Sequence, residues 1–355
     1  AYEIYQCDWS SDVCSSDLAV PPPRQVEIAE GELAQGIDHQ LTDAAANRGF
    51  GGAVVIEQRG QVVLKGGWGL ANRRTHVPFT ADTVAQVGSI TKTFTALVAS
   101  QLAVEGKLDL NVPVKTYLPT AAEPAASATL NELMTHTAGL TDYCGGDFDR
   151  LTRDQLLSRC MARALEHPRG QASYSNMGLS ITAAAIEAVA GKPWDEVLAE
   201  RVWRPFGMND TGWTFPGRSS APFAVGYRNG SAAQPVISDQ LRDLAGADWN
   251  LRGNGGIQAS ASDMLRLFHG LMAQPEAVKA LMLTPHAQGD EAGMGRAGAS
   301  GQDPGRDGQQ ADQQGNPGQQ AALTGTPGQN NGQGNAGQNS GQGNPAQLTQ
   351  AQDRK

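Results

Sequence analysis

The stretch VGSITKTFTALVASQL (Val87–Leu102) sets Ser89 three residues before Lys92, where a helix is expected to begin. Residues i and i+3 share a helix face, so a hydroxyl and an ammonium one turn apart can touch. Phe94, Leu97, Val98 and Leu102 fall on one face of the same run, and Gly106 stops it. Of seven lysines in the chain, only Lys92 has a serine at that spacing. The pattern is short, and two polar side chains facing water would produce it equally well.

Outward from this run the elements alternate. Leu33, Ile37 and Leu41 repeat at helical spacing, and GAVVIEQRGQVVLKGGWG (Gly52–Gly69) gives two β-rich runs around Arg59-Gly60, a hairpin pattern. Its apolar residues occupy successive positions between Ala53 and Trp68, as in strands covered on both faces. Helix, hairpin, helix describes a sheet covered by helices. Downstream, Thr129 with Glu132 and Thr152 with Gln155 have capping-box spacing. Pro193 stands near the start of one further helix and Pro205 beyond its end. Ser260–Asp263 precedes a run with Met264, Leu267, Phe268 and Leu271 on one face. There is no internal repeat.

The chain has 355 residues and a formal net charge of −9, with no run of lysine or arginine. Nucleic-acid binding needs a basic stripe that neutralises phosphates, and the sequence has none. No apolar run approaches the roughly 18–20 residues that span a bilayer. Residues 1–18 are set aside: DWSSDVCSSDL (Asp8–Leu18) reads as an in-frame translation of a sequencing adaptor, which removes Cys14 and several acidic residues from functional weight. The first residue is not Met, so a signal peptide is not in view. From residue 296 to 355 the composition shifts to 14 Gln and 13 Gly, with Leu323 and Leu348 as the only large apolar side chains. Such a segment buries too little to offset its chain entropy and is expected to be disordered.

A second constellation joins the first. Tyr174-Ser175-Asn176 places a phenol and a carboxamide two residues apart, which project the same way from an extended segment. A serine hydroxyl is a poor nucleophile until a neighbouring base takes its proton. Lys92 can do so if its ammonium is disfavoured by burial, or it can favour a Tyr174 phenolate that serves instead. Asn176 can hold Lys92 and bond a substrate amide, and a helix start beneath Ser89 offers a backbone N–H to an oxyanion. Tyr227-Arg228-Asn229 repeats the Tyr-x-Asn pattern, but Asn229-Gly230 is a turn signal, so a structural role is expected there. His136 has no acidic partner at recognisable spacing and is expected to pack a loop. No metal-ligand cluster and no nucleotide-binding glycine loop is present, so neither cofactor nor metal is implied.

With both constellations in place, the chain resembles the serine β-lactamase-like superfamily: class C β-lactamases, low-molecular-weight penicillin-binding proteins and β-lactamase-fold carboxylesterases. The matching pieces run from about Gly49 to Met272: SITK, LMTHTAGL, YSN, PFGMNDTGW and NGGIQASASDMLRL. The resemblance implies an α+β fold, an antiparallel sheet flanked by helices with a mostly helical insertion and the site between them. It implies a hydrolase domain over 19–295, with its insertion at about 108–245. It implies Ser89, Lys92 and Tyr174 as catalytic residues, Asn176 as substrate-binding, no cofactor, and a periplasmic or secreted monomer. It also implies an acyl-serine route on a β-lactam, a D-Ala-type or other peptidoglycan-type peptide, or a small ester. A Cys144–Cys160 disulfide is expected because the family works outside the reducing cytosol.

One departure stands out. The family's third motif, Lys or His, any residue, then Gly, belongs on a strand after about Gly293. RAGASGQDPG (Arg296–Gly305) and LTGTPG (Leu323–Gly328) echo it without a strand-like context, and neither is assigned. The sheet is therefore expected to be incomplete and the truncated chain inactive and poorly packed. The alternatives are a non-catalytic penicillin-recognising or acyl-binding sensor of the same fold, and a reading frame that does not fold.

Overall fold

The computed structural model describes residues 31–215, 222–228, 232–284 and 286, together with the backbone of 26–28. The adaptor-like residues, the Asn229-Gly230 turn, the 296–355 segment and both echoes of the third motif lie outside them.

In chain order, strand β1 (Val26–Ile28) leads to helix α1 (Glu32–Asn47) and the hairpin β2 (Gly52–Gln58) and β3 (Gln61–Trp68). The short pairs β4 (Leu70–Asn72) with β5 (Val77–Pro78), and β6 (Ala85–Gln86) with the later β9 (Gln258–Ala259), carry the chain across to α2 (Thr91–Val104). Next come α3 (Leu130–Met134), α4 (Arg153–Gln155), α5 (Asn176–Ala190) and α6 (Trp194–Leu198). The ribbon β7 (Tyr227–Arg228) and β8 (Ala232–Ala233) precedes α7 (Ile237–Asp243), β9 (Gln258–Ala259), α8 (Ala261–Met272) and α9 (Glu276–Leu283).

The expected hairpin forms, and a third strand joins it: β1 pairs antiparallel with β3, giving the order β1-β3-β2. Helix α1 packs on β3, where Trp68 Nε1 donates to Asp38 Oδ1 at 3.0 Å, and α8 packs on β2. The cover is uneven. Leu64 and Trp68 are buried with Ala34, whereas every residue of β2 from Gly52 to Glu57 is only half-buried, contrary to the expectation of two covered faces.

The helical region has a large continuous core, so the poor packing expected of the chain does not extend to it. α2 lies at its centre, against α5 and α9. The sequence shows one apolar face on α2, yet every residue from Thr91 to Ser100 is buried. The enclosed polar groups are met by the loop around Gly253–Ile257: Thr95 Oγ1 donates to Gly253 O at 2.7 Å, and Thr91 Oγ1 accepts from Ile257 N at 3.2 Å. Both capping boxes form as expected, at Thr129 with Glu132 and at Thr152 with Gln155. Ser260 Oγ caps α8 by accepting from Asp263 N.

Two glycines set how closely the layers approach. A Cβ on Gly178 would stand 2.7 Å from Leu133 O, so its absence lets α5 sit against α3. Gly253 has φ +83°, and a Cβ there would fall 2.3 Å from Leu179 O. Only glycine accepts both that backbone and that proximity.

Candidate active site

Ser89 lies in a single 3-10 turn, Gly88–Ile90, and Lys92 follows in the first turn of α2. The i, i+3 contact read from sequence is made: Lys92 Nζ donates to Ser89 Oγ at 3.0 Å. Tyr174 arrives from the loop before α5, and its hydroxyl shares a 2.8 Å hydrogen bond with Ser89 Oγ in which either oxygen can donate. Asn176 is not in an extended segment but is the first residue of α5, whose N-cap is Ser175. It still reaches the same lysine, accepting from Lys92 Nζ through Oδ1 at 2.6 Å. The structure thus brings together all four residues singled out in the sequence.

The surroundings explain why a lysine is stable here. Lys92 is 1% exposed, and a buried ammonium needs partners for its three donors. The third acceptor is Asn254 O at 3.0 Å, from the NGGI loop. That loop is held to α5: Asn254 Nδ2 donates to Ser180 Oγ at 2.8 Å, and Ser180 Oγ donates to Arg252 O. The ammonium also lies 4.8 Å from the centre of the Tyr174 ring, a cation–π distance.

Asp142 is a further member that spacing did not reveal. Its Oδ1 accepts from Asn176 N at 2.9 Å and from Asn176 Nδ2 at 3.0 Å, fixing the carboxamide that faces Lys92. Burial raises the Asp142 pKa, against the hydrogen bond from Asn176 N and the nearby Lys92 charge. Burial likewise raises Asp147 on the same loop, and the Lys92 charge opposes it. The loop is anchored by the Cys144–Cys160 disulfide, with Cα atoms 5.6 Å apart, as expected. Arg163 also donates to Tyr143 O at 2.8 Å and to Cys144 O at 3.1 Å.

His136 does more than pack a loop. It is buried, its ring centre is 4.6 Å from that of Tyr174, and burial, then the Lys92 charge, lower its pKa from 6.5 to about 3. The second Tyr-x-Asn pattern is elsewhere: the Tyr227 hydroxyl accepts from Arg73 N at 2.6 Å, and the Arg73 guanidinium covers its ring. That is a structural anchor. Among the described residues no group of three or more His, Cys, Asp or Glu is placed to hold a metal, and no helix is long and apolar enough to cross a membrane.

The Ser89 hydroxyl is thus within hydrogen-bond reach of both a lysine nitrogen and a phenol, two groups that can in principle exchange a proton with it. The Beta-lactamase family model matches residues 37–341 of the sequence. The chain belongs to the β-lactamase family. The putative penicillin-binding protein PbpX of Bacillus subtilis is 29% identical over 225 residues, 63% of this chain and 55% of PbpX. The chain thus spans only about half of that relative's length. The esterase EstB of Burkholderia gladioli is 28% identical over 313 residues, 77% of this chain and 78% of EstB. Among solved structures, FmtA from Staphylococcus aureus superposes with a TM-score of 0.61 at 22% identity, over 75% of this chain and 73% of FmtA, a likeness of fold. The β-lactamase fold, with short antiparallel sheets and flanking helices, is therefore the architecture that family membership implies.

Proposed function

We propose that this family member is a serine hydrolase that works through an acyl-serine intermediate, with Ser89 as nucleophile. The observation that carries the reading is Ser89 Oγ lying 2.8 Å from Tyr174 Oη and 3.0 Å from Lys92 Nζ.

Lys92 as an ammonium has three protons, directed at Ser89 Oγ, Asn176 Oδ1 and Asn254 O. The last two can only accept. The Ser89 proton is then directed to Tyr174, whose phenolate form the adjacent ammonium favours. Tyr174 takes the proton as Ser89 Oγ attacks the substrate carbonyl carbon. The tetrahedral oxyanion collapses, the carbon–nitrogen or carbon–oxygen bond breaks, and the leaving group takes the proton back from Tyr174. Water, deprotonated through the same pair, then releases the acyl group and restores Ser89. The Ser89 backbone N–H, at the start of a helical turn, is the candidate oxyanion donor. Asn176 Nδ2 gives one hydrogen to Asp142 and has a second for a substrate carbonyl.

The substrate is a β-lactam, a peptide ending in a D-residue, or a small ester. PbpX by its name binds penicillin and EstB is an esterase, which supports this range. The disulfide supports a periplasmic or secreted setting, since such bonds persist in oxidising compartments.

Intact-mass measurement after treating the full chain and Ser89→Ala with a fluorophosphonate or a penicillin tests the reading. One adduct on the wild type and none on the variant is expected; equal labelling overturns the assignment. An acyl-binding sensor would label and keep the penicillin adduct, whereas a hydrolase sheds it and turns over p-nitrophenyl esters or a chromogenic cephalosporin.

A further inference from the structure

Tyr174 is held on three sides by one residue. His136 O accepts from Ser173 N at 2.8 Å, and His136 Nδ1 accepts from Ser175 N at 3.1 Å, so the backbone is pinned immediately before and after Tyr174. Between these points the imidazole lies along the phenol ring, centres 4.6 Å apart and planes inclined at 31°. We propose that His136 is a positioning residue, which sets the Tyr174 hydroxyl against Ser89 by clamping both flanking amides and supporting the ring. The proposal rests on the acyl-serine reading.

Two features at His136 go beyond what filling a loop requires. Its backbone has φ +59°, a left-handed conformation uncommon outside glycine. Because Nδ1 accepts, the ring proton sits on Nε2, which is buried and has no hydrogen-bond partner among the described residues. Both are unfavourable. A leucine would fill the volume without the second, but it has no acceptor for Ser175 N. A neutral imidazole supplies acceptor and flat ring together, and adds no charge beside Lys92. Burial and the lysine keep it neutral, with a pKa of about 3.

The test is a double-mutant cycle on the full chain, read as the fluorophosphonate labelling rate of Ser89. His136→Asn keeps an acceptor for Ser175 N and tolerates the left-handed backbone, but removes the ring. Its maximal labelling rate is expected to fall roughly ten- to a hundredfold, the scale of a misplaced catalytic group. The half-saturating probe concentration should shift less than about threefold, as for a loss felt only in the reacting complex. On a Tyr174→Phe background the same change should alter the rate by less than about twofold, since residues acting through one another are not additive. If His136→Asn does not fold, His136→Phe, which keeps a ring but no acceptor, runs the same cycle. Multiplying effects in the double variant, or an unchanged rate with only a lower melting temperature, overturn the positioning role and leave the acyl-serine reading standing. A wild type that does not label at Ser89 overturns both.

Discussion

Lys92 is where one side chain must satisfy the most conditions. Its ammonium meets Ser89 Oγ, Asn176 Oδ1 and Asn254 O in a site 1% exposed. Lys92→Arg is therefore not conservative, because a planar fork cannot reach three converging acceptors around one nitrogen. Lys92→Arg and Lys92→Ala are both expected to reduce Ser89 labelling by at least about a hundredfold, the lower range for losing a proton-transfer group. Labelling within a few-fold of wild type would remove Lys92 from the mechanism. His136 carries a pH signature. Its pKa falls from 6.5 to about 3 on folding, so the unfolded chain binds the extra proton between those values. The His136 contribution is complete above about pH 6.5 and is lost as pH falls towards 3. Chemical denaturation of wild type and His136→Asn at several pH values should show it. The advantage of wild type over the variant should shrink by on the order of 3 kcal/mol between about pH 6.5 and 4. Parallel stability curves would mean that His136 titrates normally.

At the scale of elements, the site depends on how closely α2 and α5 are approached by the loop following α7. Thr95 Oγ1 on α2 donates to Gly253 O, and the adjacent Asn254 O accepts from Lys92. Gly253→Ala would place a Cβ 2.3 Å from Leu179 O at a φ of +83°. It should lower stability by about 1–3 kcal/mol through overpacking and backbone strain, and slow Ser89 labelling in the protein that folds. Full labelling at wild-type stability would show that the Asn254 carbonyl is not held by this contact. The capping box at Thr129 is a comparison at a distance from the chemistry. Thr129→Ala should cost about 1 kcal/mol through α3 and leave the labelling rate per folded molecule unchanged.

Across the whole molecule, the Cys144–Cys160 disulfide ties the loop carrying Asp142 to the helical core. The bonded cysteines are 16 residues apart in sequence, and closing a loop of that size contributes about 3 kcal/mol in the chain-entropy account. Cys144→Ser with Cys160→Ser, or reduction, should lower the melting temperature by several degrees. Because Asp142 is two residues from Cys144 and holds Asn176, labelling should slow as well. A melting temperature insensitive to reductant would show that the bridge does not form in solution. The three-stranded sheet is the less enclosed part, with a small core around Leu64 and Trp68 and a half-buried β2.

Much of this arrangement could be read without coordinates because it is local. Helical spacing puts Ser89 over Lys92, capping boxes mark Thr129 and Thr152, and Arg59-Gly60 turns the hairpin. Each rests on backbone periodicity or on a side chain bonding its own neighbours. The chemistry of a phenol and a carboxamide two residues apart added Tyr174 and Asn176, which no period links to Ser89, and the order of the family motifs agreed with it. The helical face of Phe94 and Leu97 misled about burial, since periodicity shows which side is apolar but not what covers the other. Asn254, Asp142 and His136 carry no sequence mark of the site because their contacts arise from packing. Asn254 acts on Lys92 through a backbone carbonyl, which every residue has and no sequence pattern marks. His136 has no acidic partner because its partners are two amides and a ring. The sequence alone thus determined several of the helices, the hairpin and the Ser89–Lys92 contact. Only the tertiary structure decided how that pair is buried, hydrogen-bonded and aimed, because those contacts join segments up to 162 residues apart that only packing brings together.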